Sequence, residues 1–189
     1  MRKLLTLPFA LTLAISAAYY SSSAYAESYL TGSVGSATTT GFAEDSTTLN
    51  FGAGARFGDF FALEVSYLDT GEFTASETYN DGQLDSSLKF TGLNVSLIGH
   101  LPLSDDLELY GKVGQYFWRA DINSYAHADN SSASLRLNDA DLTYGGGVLM
   151  HLSKQLALKA EYQIIDFAAD NDGAFGSTDI ASVGFIFKL

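Results

Sequence analysis

The chain has 189 residues, no cysteine and a formal net charge of −12, with 18 glycines, 11 tyrosines, 13 phenylalanines and two prolines. Without cysteine there is neither a disulfide framework nor a thiolate metal site. The acidic balance argues against nucleic-acid binding and against a polybasic lipid-binding patch.

The first 26 residues differ from the rest. Arg2 and Lys3 precede an apolar stretch from Leu4 to Ala18, and small residues follow up to Ala24-Tyr25-Ala26. A basic start, an apolar middle and an A-x-A end predict a secretory signal peptide over 1–26. The apolar stretch falls short of the ~20 residues that a spanning helix needs. The remaining 27–189 make a single domain by length. Losing Arg2 and Lys3 leaves 8 basic against 22 acidic residues, a net charge of −14. No later stretch is long and apolar enough for a transmembrane helix.

Period-two alternation dominates the chain beyond residue 26, and it sorts side chains onto two faces of a strand. Strands are predicted near 28–37, 47–57, 60–69, 88–101, 107–119, 141–151, 155–167 and 178–189. In the second, Leu49, Phe51, Ala53, Ala55 and Phe57 oppose Thr48, Asn50, Gly52, Gly54 and Arg56. In the seventh, Leu156, Leu158, Ala160, Tyr162 and Ile164 oppose Ala157, Lys159, Glu161 and Gln163. In the eighth, Ala181, Val183, Phe185, Phe187 and Leu189 oppose Ser182, Gly184, Ile186 and Lys188. The connections alternate in length. Gly58-Asp59, Pro102 to Asp106 and Leu152-Ser153-Lys154 are short, whereas 38–46, 70–87, 120–140 and 168–177 are long, polar and acidic. Short turns at one end and long loops at the other are the layout of outer-membrane barrels.

One face of these strands is uniformly apolar. The other carries Arg56, Glu64, Lys112, Lys159 and Glu161 among small and polar residues such as Gly52, Asn94, Ser96 and Gly114. A small barrel in lipid wants that inversion, apolar outside and polar inside. A soluble lipocalin-type barrel would turn the apolar face inward around a ligand. Alternation alone does not choose between them. The signal peptide, the terminal strand and the family resemblance given below together carry the choice of the membrane, and so of an all-β, eight-stranded antiparallel up-and-down transmembrane β-barrel with both termini on the periplasmic side.

Certain runs carry a specific resemblance. Leu101-Pro102-Leu103-Ser104-Asp105-Asp106-Leu107-Glu108-Leu109-Tyr110-Gly111-Lys112-Val113-Gly114, then Phe117-Trp118-Arg119-Ala120-Asp121, strongly resembles the OmpA-like transmembrane domain. Ala62 to Tyr67 and Leu158 to Gln163 do so too. The end of the chain, with Ser182, Gly184, Phe187 and Leu189, is similar to the C-terminal signal read by the outer-membrane assembly machinery, with Leu189 in place of the terminal aromatic. The resemblance implies interior ion pairs between non-adjacent strands. At two positions matching other interior charges of the family this chain has Ile98 and Leu149. The family's periplasmic peptidoglycan-binding domain is not expected here, because the sequence stops at the last strand.

Unpaired interior charges would cost several kcal/mol each. Glu64 and Glu161 are therefore expected to pair with Lys159, Lys112 and Arg56, as a structural plug or as a gated ion path. His151-Leu152-Ser153 with Glu161 resembles the His/Ser/acid logic of outer-membrane lipid A deacylases. Parity puts Glu161 inside and the other two at a periplasmic turn, so no enzyme is expected. Asp170-Asn171-Asp172-Gly173 opens like a calcium loop, but Ala181 stands where the bidentate Glu belongs. Asn80-Asp81-Gly82 is a turn signal. His100 and His127 share no ligand spacing. No metal or cofactor is expected. Trp118, with Tyr116 and Phe117, reads as an interfacial anchor.

The function expected is that of a structural outer-membrane barrel of OmpA-like type with a largely plugged polar interior, with or without weak channel activity. The alternative is adhesion or host contact through the long acidic loops. Expected partners are outer-membrane lipid, lipopolysaccharide and the outer-membrane assembly machinery, with no nucleic acid and a monomeric state.

Overall fold

A computed structural model describes residues 26–39, 45–79, 82–126, 131–167 and 176–189, so the predicted signal peptide lies outside the described residues except for Ala26. The strands are β1 (Ala26–Thr39), β2 (Ser46–Phe57), β3 (Phe61–Tyr79), β4 (Gly82–Pro102), β5 (Leu107–Ala126), β6 (Ser131–His151), β7 (Leu156–Asp166) and β8 (Ser177–Lys188). Each pairs antiparallel with its neighbours in sequence. β1 also pairs with β8, from Tyr29↔Lys188 to Thr39↔Thr178, and closes an eight-stranded up-and-down barrel.

The alternation sets which way each side chain points. Outward residues such as Phe51, Val65, Leu97, Val113 and Val183 are exposed, as a lipid-facing wall requires. Their neighbours Asn50, Glu64, Ser66, Ser96 and Lys112 are buried in the lumen. Three tight turns join strands at one end. The first uses Gly58, whose φ of 65° suits a residue without Cβ. The other two reuse one device: Ser104 Oγ accepts from Leu107 N (3.1 Å), and Ser153 Oγ accepts from Leu156 N (3.1 Å).

The opposite, hairpin end departs from the sequence reading. The segments 70–87 and 120–140 are not long loops. Strands β3 to β6 run through them and have 19 to 21 residues, against 11 to 14 for the other four. A four-stranded sheet thus stands beyond the rim of the closed barrel. Alternation weakens as a signal there because the outer face is polar, while the inner face passes from the apolar row Phe73, Leu88, Ile122 and Leu135 to small residues such as Ala75, Ser86, Ser124 and Ala133. Rows such as Thr74, Ser87, Asn123 and Ser134 lie side by side in register, and no lipid demands an apolar face. The calcium-like run Asp170–Gly173 and the turn residues Asn80 and Asp81 lie outside the described residues.

A barrel closed along all eight seams resists detergent at room temperature. Unboiled protein is expected to migrate differently from boiled protein on a detergent gel, and identical mobility would contradict the closed β1–β8 seam.

Candidate functional site

The lumen is filled in zones. At the turn end, β2, β4, β5 and β6 bring together Arg56, His100, Glu108 and His151. Arg56 grips Glu108 in a two-pronged pair, Nη1 to Oε1 at 3.1 Å and Nη2 to Oε2 at 3.0 Å. The same guanidinium donates to the carbonyls of Gly58 and Asp59, which fixes it to the β2–β3 turn. His100 Nδ1 lies 2.5 Å from Glu108 Oε1, and His151 Nε2 lies 3.8 Å from Oε2. A fork-to-fork pair combines charge with fixed geometry. At the rim below, Lys188 pairs with Glu27 at 3.0 Å.

The pairing differs from expectation here. Arg56 meets Glu108 rather than Glu64, because the register sets Arg56 opposite Ala62, one inward position closer to the turn than Glu64. Glu108 follows Asp105-Asp106 and reads in sequence as one more turn acid. The signal available for it is parity, since it shares the face of Tyr110 and Lys112.

Deeper in the lumen, Glu161 on β7 accepts from Lys112 Nζ (2.9 Å) and Tyr110 Oη (2.7 Å), with Lys159 Nζ at 3.6 Å. Glu64 accepts from Tyr29 Oη at 3.2 Å and has no cation within 4.0 Å among the described residues. Both tyrosines owe their position to glycine. Tyr29 lies across from Gly54 and Tyr110 across from Gly147. A Cβ at Gly54 would overlap the Tyr29 ring, and one at Gly147 would crowd the Tyr110 hydroxyl. Ile98 and Leu149 are buried here with Ala157 and Ile186, an apolar collar beside the charges.

Towards the hairpin end the lumen is hydrophobic. Phe90 and Phe167 stack at 4.6 Å, and Trp118 meets each edge-on at 5.5 Å. Leu68, Phe73, Tyr116, Ile165 and Ile180 complete the plug. Trp118 is therefore no interfacial anchor. Its parity with Tyr110 and Lys112 turns it inward, and its indole N–H donates to Asp141 at 2.6 Å. A buried indole N–H needs such an acceptor.

Between charged and aromatic zones the lining is polar. Gln163 donates to Thr143 at 2.7 Å, while Thr31 Oγ1, Asn50 Oδ1, Ser66 Oγ and Asn94 Nδ2 have no hydrogen-bond partner among the described residues. The deacylase-like trio is not assembled. Ser153 serves its turn, His151 faces Glu108, and Glu161 is held by Lys112. Among the described residues no group of three or more His, Cys, Asp or Glu is arranged to hold a metal ion. Ser182 and Gly184 face the lumen from β8, and Phe187 lies on the outer face.

A family model, the OmpA-like transmembrane domain, matches residues 16–188. The chain belongs to this family. OmpA from Serratia marcescens is 26% identical over 73% of the chain, and OmpA from Escherichia fergusonii 23% identical over 73%. The chain spans 39% and 40% of those relatives' lengths. Among solved structures, Neisserial surface protein A superposes with a TM-score of 0.61 at 14% identity, covering 87% of this chain and 97% of its own. The N-terminal barrel of Pseudomonas aeruginosa OprF gives 0.56 at 13% identity, covering 87% and 99%. Ail of Yersinia pestis gives 0.51 at 13% identity, covering 86% and 97%. These likenesses put the OmpA-like barrel in the outer membrane of a Gram-negative bacterium.

The lumen of this OmpA-like barrel can be tested in two ways. Glu161→Gln strands two buried lysines and should cost about 3–5 kcal/mol. Lys112→Met should cost less and the looser Lys159→Met least, by urea unfolding in lipid vesicles. Equal losses would contradict the pairing. Trp118 is the single tryptophan. Brominated lipid should quench it weakly, but should quench strongly a tryptophan moved to outward Phe117 in the double variant F117W/W118F. Comparable quenching of the two proteins would put Trp118 on the lipid face.

Proposed function

We propose that this OmpA-like barrel is a structural outer-membrane protein that conducts no ions. The observation that carries the reading is a lumen blocked twice, by the Arg56–Glu108 and Lys112–Glu161 pairs and by the Phe90–Trp118–Phe167 cage. Short turns face the periplasm in outer-membrane barrels. On that orientation the ionic blocks lie towards the periplasm and the aromatic one towards the outside. The buried charges act as a plug. A gated path would need Lys112 to leave Glu161, breaking a pair whose side chains are almost wholly withdrawn from solvent.

The exposed band of Leu, Val, Phe and Tyr contacts outer-membrane lipid. Above it, on the outer face, Asp69, Lys89, Arg119, Asp121 and Arg136 meet the headgroup and sugar layer of lipopolysaccharide. The β8 end, with Ser182, Gly184, Phe187 and Leu189, serves the assembly machinery, and the barrel works as a monomer. Planar-bilayer recording of heat-modifiable protein tests the main reading: flat current is expected, and reproducible single-channel steps would overturn it.

A second reading has its own observation, the sheet that β3 to β6 raise beyond the barrel rim. Such a surface suits adhesion or host contact. Trimming both hairpins should abolish binding to host cells or matrix, and binding that survives the trimming would end this reading.

A further inference from the structure

The block nearest the turns depends on one bond that crosses the barrel. Arg56 on β2 and Glu108 on β5 stand on strands that are not neighbours, with β3 and β4 between them. His100 on β4 and His151 on β6 approach Glu108 from the strands on either side of β5. The Lys188–Glu27 pair at the rim joins neighbouring strands as well. Of these contacts, the Arg56 pair alone spans the lumen.

Both halves of that bond have a second engagement. Arg56 Nη2 also donates to the Asp59 carbonyl at 2.5 Å, and Nε to the Gly58 carbonyl at 3.3 Å. Glu108 Oε1 takes His100 Nδ1 at 2.5 Å, while His151 Nε2 stands 3.8 Å from Oε2, beyond hydrogen-bond reach. The two rings are not equivalent. His100 Nε2 is buried and has no hydrogen-bond partner among the described residues. A charged His100 would bury that second N–H unbonded, so the site suits a neutral ring that donates from Nδ1. The His151 side chain is more open, 18% exposed against 5% for His100.

Glu27, Tyr29, Arg56, His100 and Lys188 line the cavity on the lumen side of His151. Glu27 is taken by Lys188, and Tyr29 donates to Glu64. Asp105, Asp106 and Lys154 stand exposed on its solvent side. That leaves Glu108 as the lumen acceptor for a charged His151.

We propose that His151 is an acid-operated latch on the turn-end seal: its protonation exchanges the lumen-spanning Arg56–Glu108 pair for a His151–Glu108 pair between neighbouring strands. Histidine ordinarily titrates between about pH 5 and pH 8. The charged ring donates from Nε2 to Glu108 Oε2, a charge-assisted bond that competes with Arg56 Nη2 for the same oxygen. Arg56 keeps the Gly58 and Asp59 carbonyls and withdraws to the β2–β3 turn. His100 holds Oε1 and keeps Glu108 against β4. Proton uptake favours the exchanged arrangement, so the seal holds at neutral pH and opens as the pH falls. The deeper Lys112–Glu161 pair and the aromatic cage take no part in the exchange. The barrel therefore stays closed to ions, and the inference is independent of the conductance reading.

Single-cysteine barrels in lipid nanodiscs test it, since the chain has no native cysteine. Ala62 is fully buried and lies across the ladder from Arg56. Ala62→Cys is treated with a membrane-impermeant thiol reagent. Its rate is divided by that of Gln155→Cys at an exposed turn position, which removes the effect of pH on the thiol itself. The ratio should rise about tenfold or more between about pH 7.5 and about pH 5, and His151→Gln should abolish the rise. Ser66→Cys, beyond the deeper pair, should stay unlabelled at both pH values, with heat-modifiable mobility intact. Where Ala62→Cys fails to fold, Ala157→Cys, buried in the same collar, takes its place. An unchanged ratio would overturn the proposal, as would an equal rise in His151→Gln, labelling of Ser66→Cys at acid pH, or a rise that comes with loss of heat-modifiable mobility.

Discussion

A peptide group in hydrocarbon has no water to bond, and that constraint organises the whole molecule. Each unpaired N–H or C=O would cost several kcal/mol, so a sheet in lipid has to close on itself. The β1–β8 seam supplies the closure. Once it is made, the period of two leaves no freedom. Residues that must meet lipid go outward, and every other residue is committed to a narrow interior. The glycines opposite Tyr29 and Tyr110, the buried carboxylates and the aromatic cage all follow from filling that interior without voids.

The two plugs do different physical work. The aromatic plug is cohesive through close packing and burial of apolar surface. The ionic plug is poor at adding stability, because desolvating charges offsets most of their attraction. Its strength lies in discrimination. Glu161 has three donors within reach, whereas Glu64 has only Tyr29 among the described residues, so two carboxylates at similar depth are held very differently. A one-residue slip of any strand would turn these charges towards lipid. The buried pairs thus penalise wrong registers more than they reward the correct one.

Sequence alternation was informative wherever lipid imposes a contrast between faces. In β2, β7 and β8 the apolar and polar sets separate cleanly, and the turns at Gly58, Ser104 and Ser153 follow from residue type and spacing. The same signal weakens where the sheet leaves the membrane, and so 70–87 and 120–140 read as loops although most of both is strand. Trp118 shows a second limit. Residue type argued for an interfacial belt, while parity with Lys112 argued for the lumen, and parity is the stronger guide because it follows from backbone geometry. Partner choice was the least legible feature. That Arg56 meets Glu108 and not Glu64 depends on the stagger between strands far apart in sequence, which no local pattern encodes.

A polar middle zone of the lumen is sealed at both ends, and the absence of native cysteine lets one thiol probe it. Ser66 lies in that zone, 2% exposed, with its hydroxyl lacking a partner among the described residues. The decisive measurement is reaction of a Ser66→Cys barrel in lipid vesicles with a membrane-impermeant, water-soluble thiol reagent applied from each side. A sealed lumen predicts no labelling from either side and full labelling after unfolding. Labelling of the folded protein from either side would show that a seal is open and contradict the account.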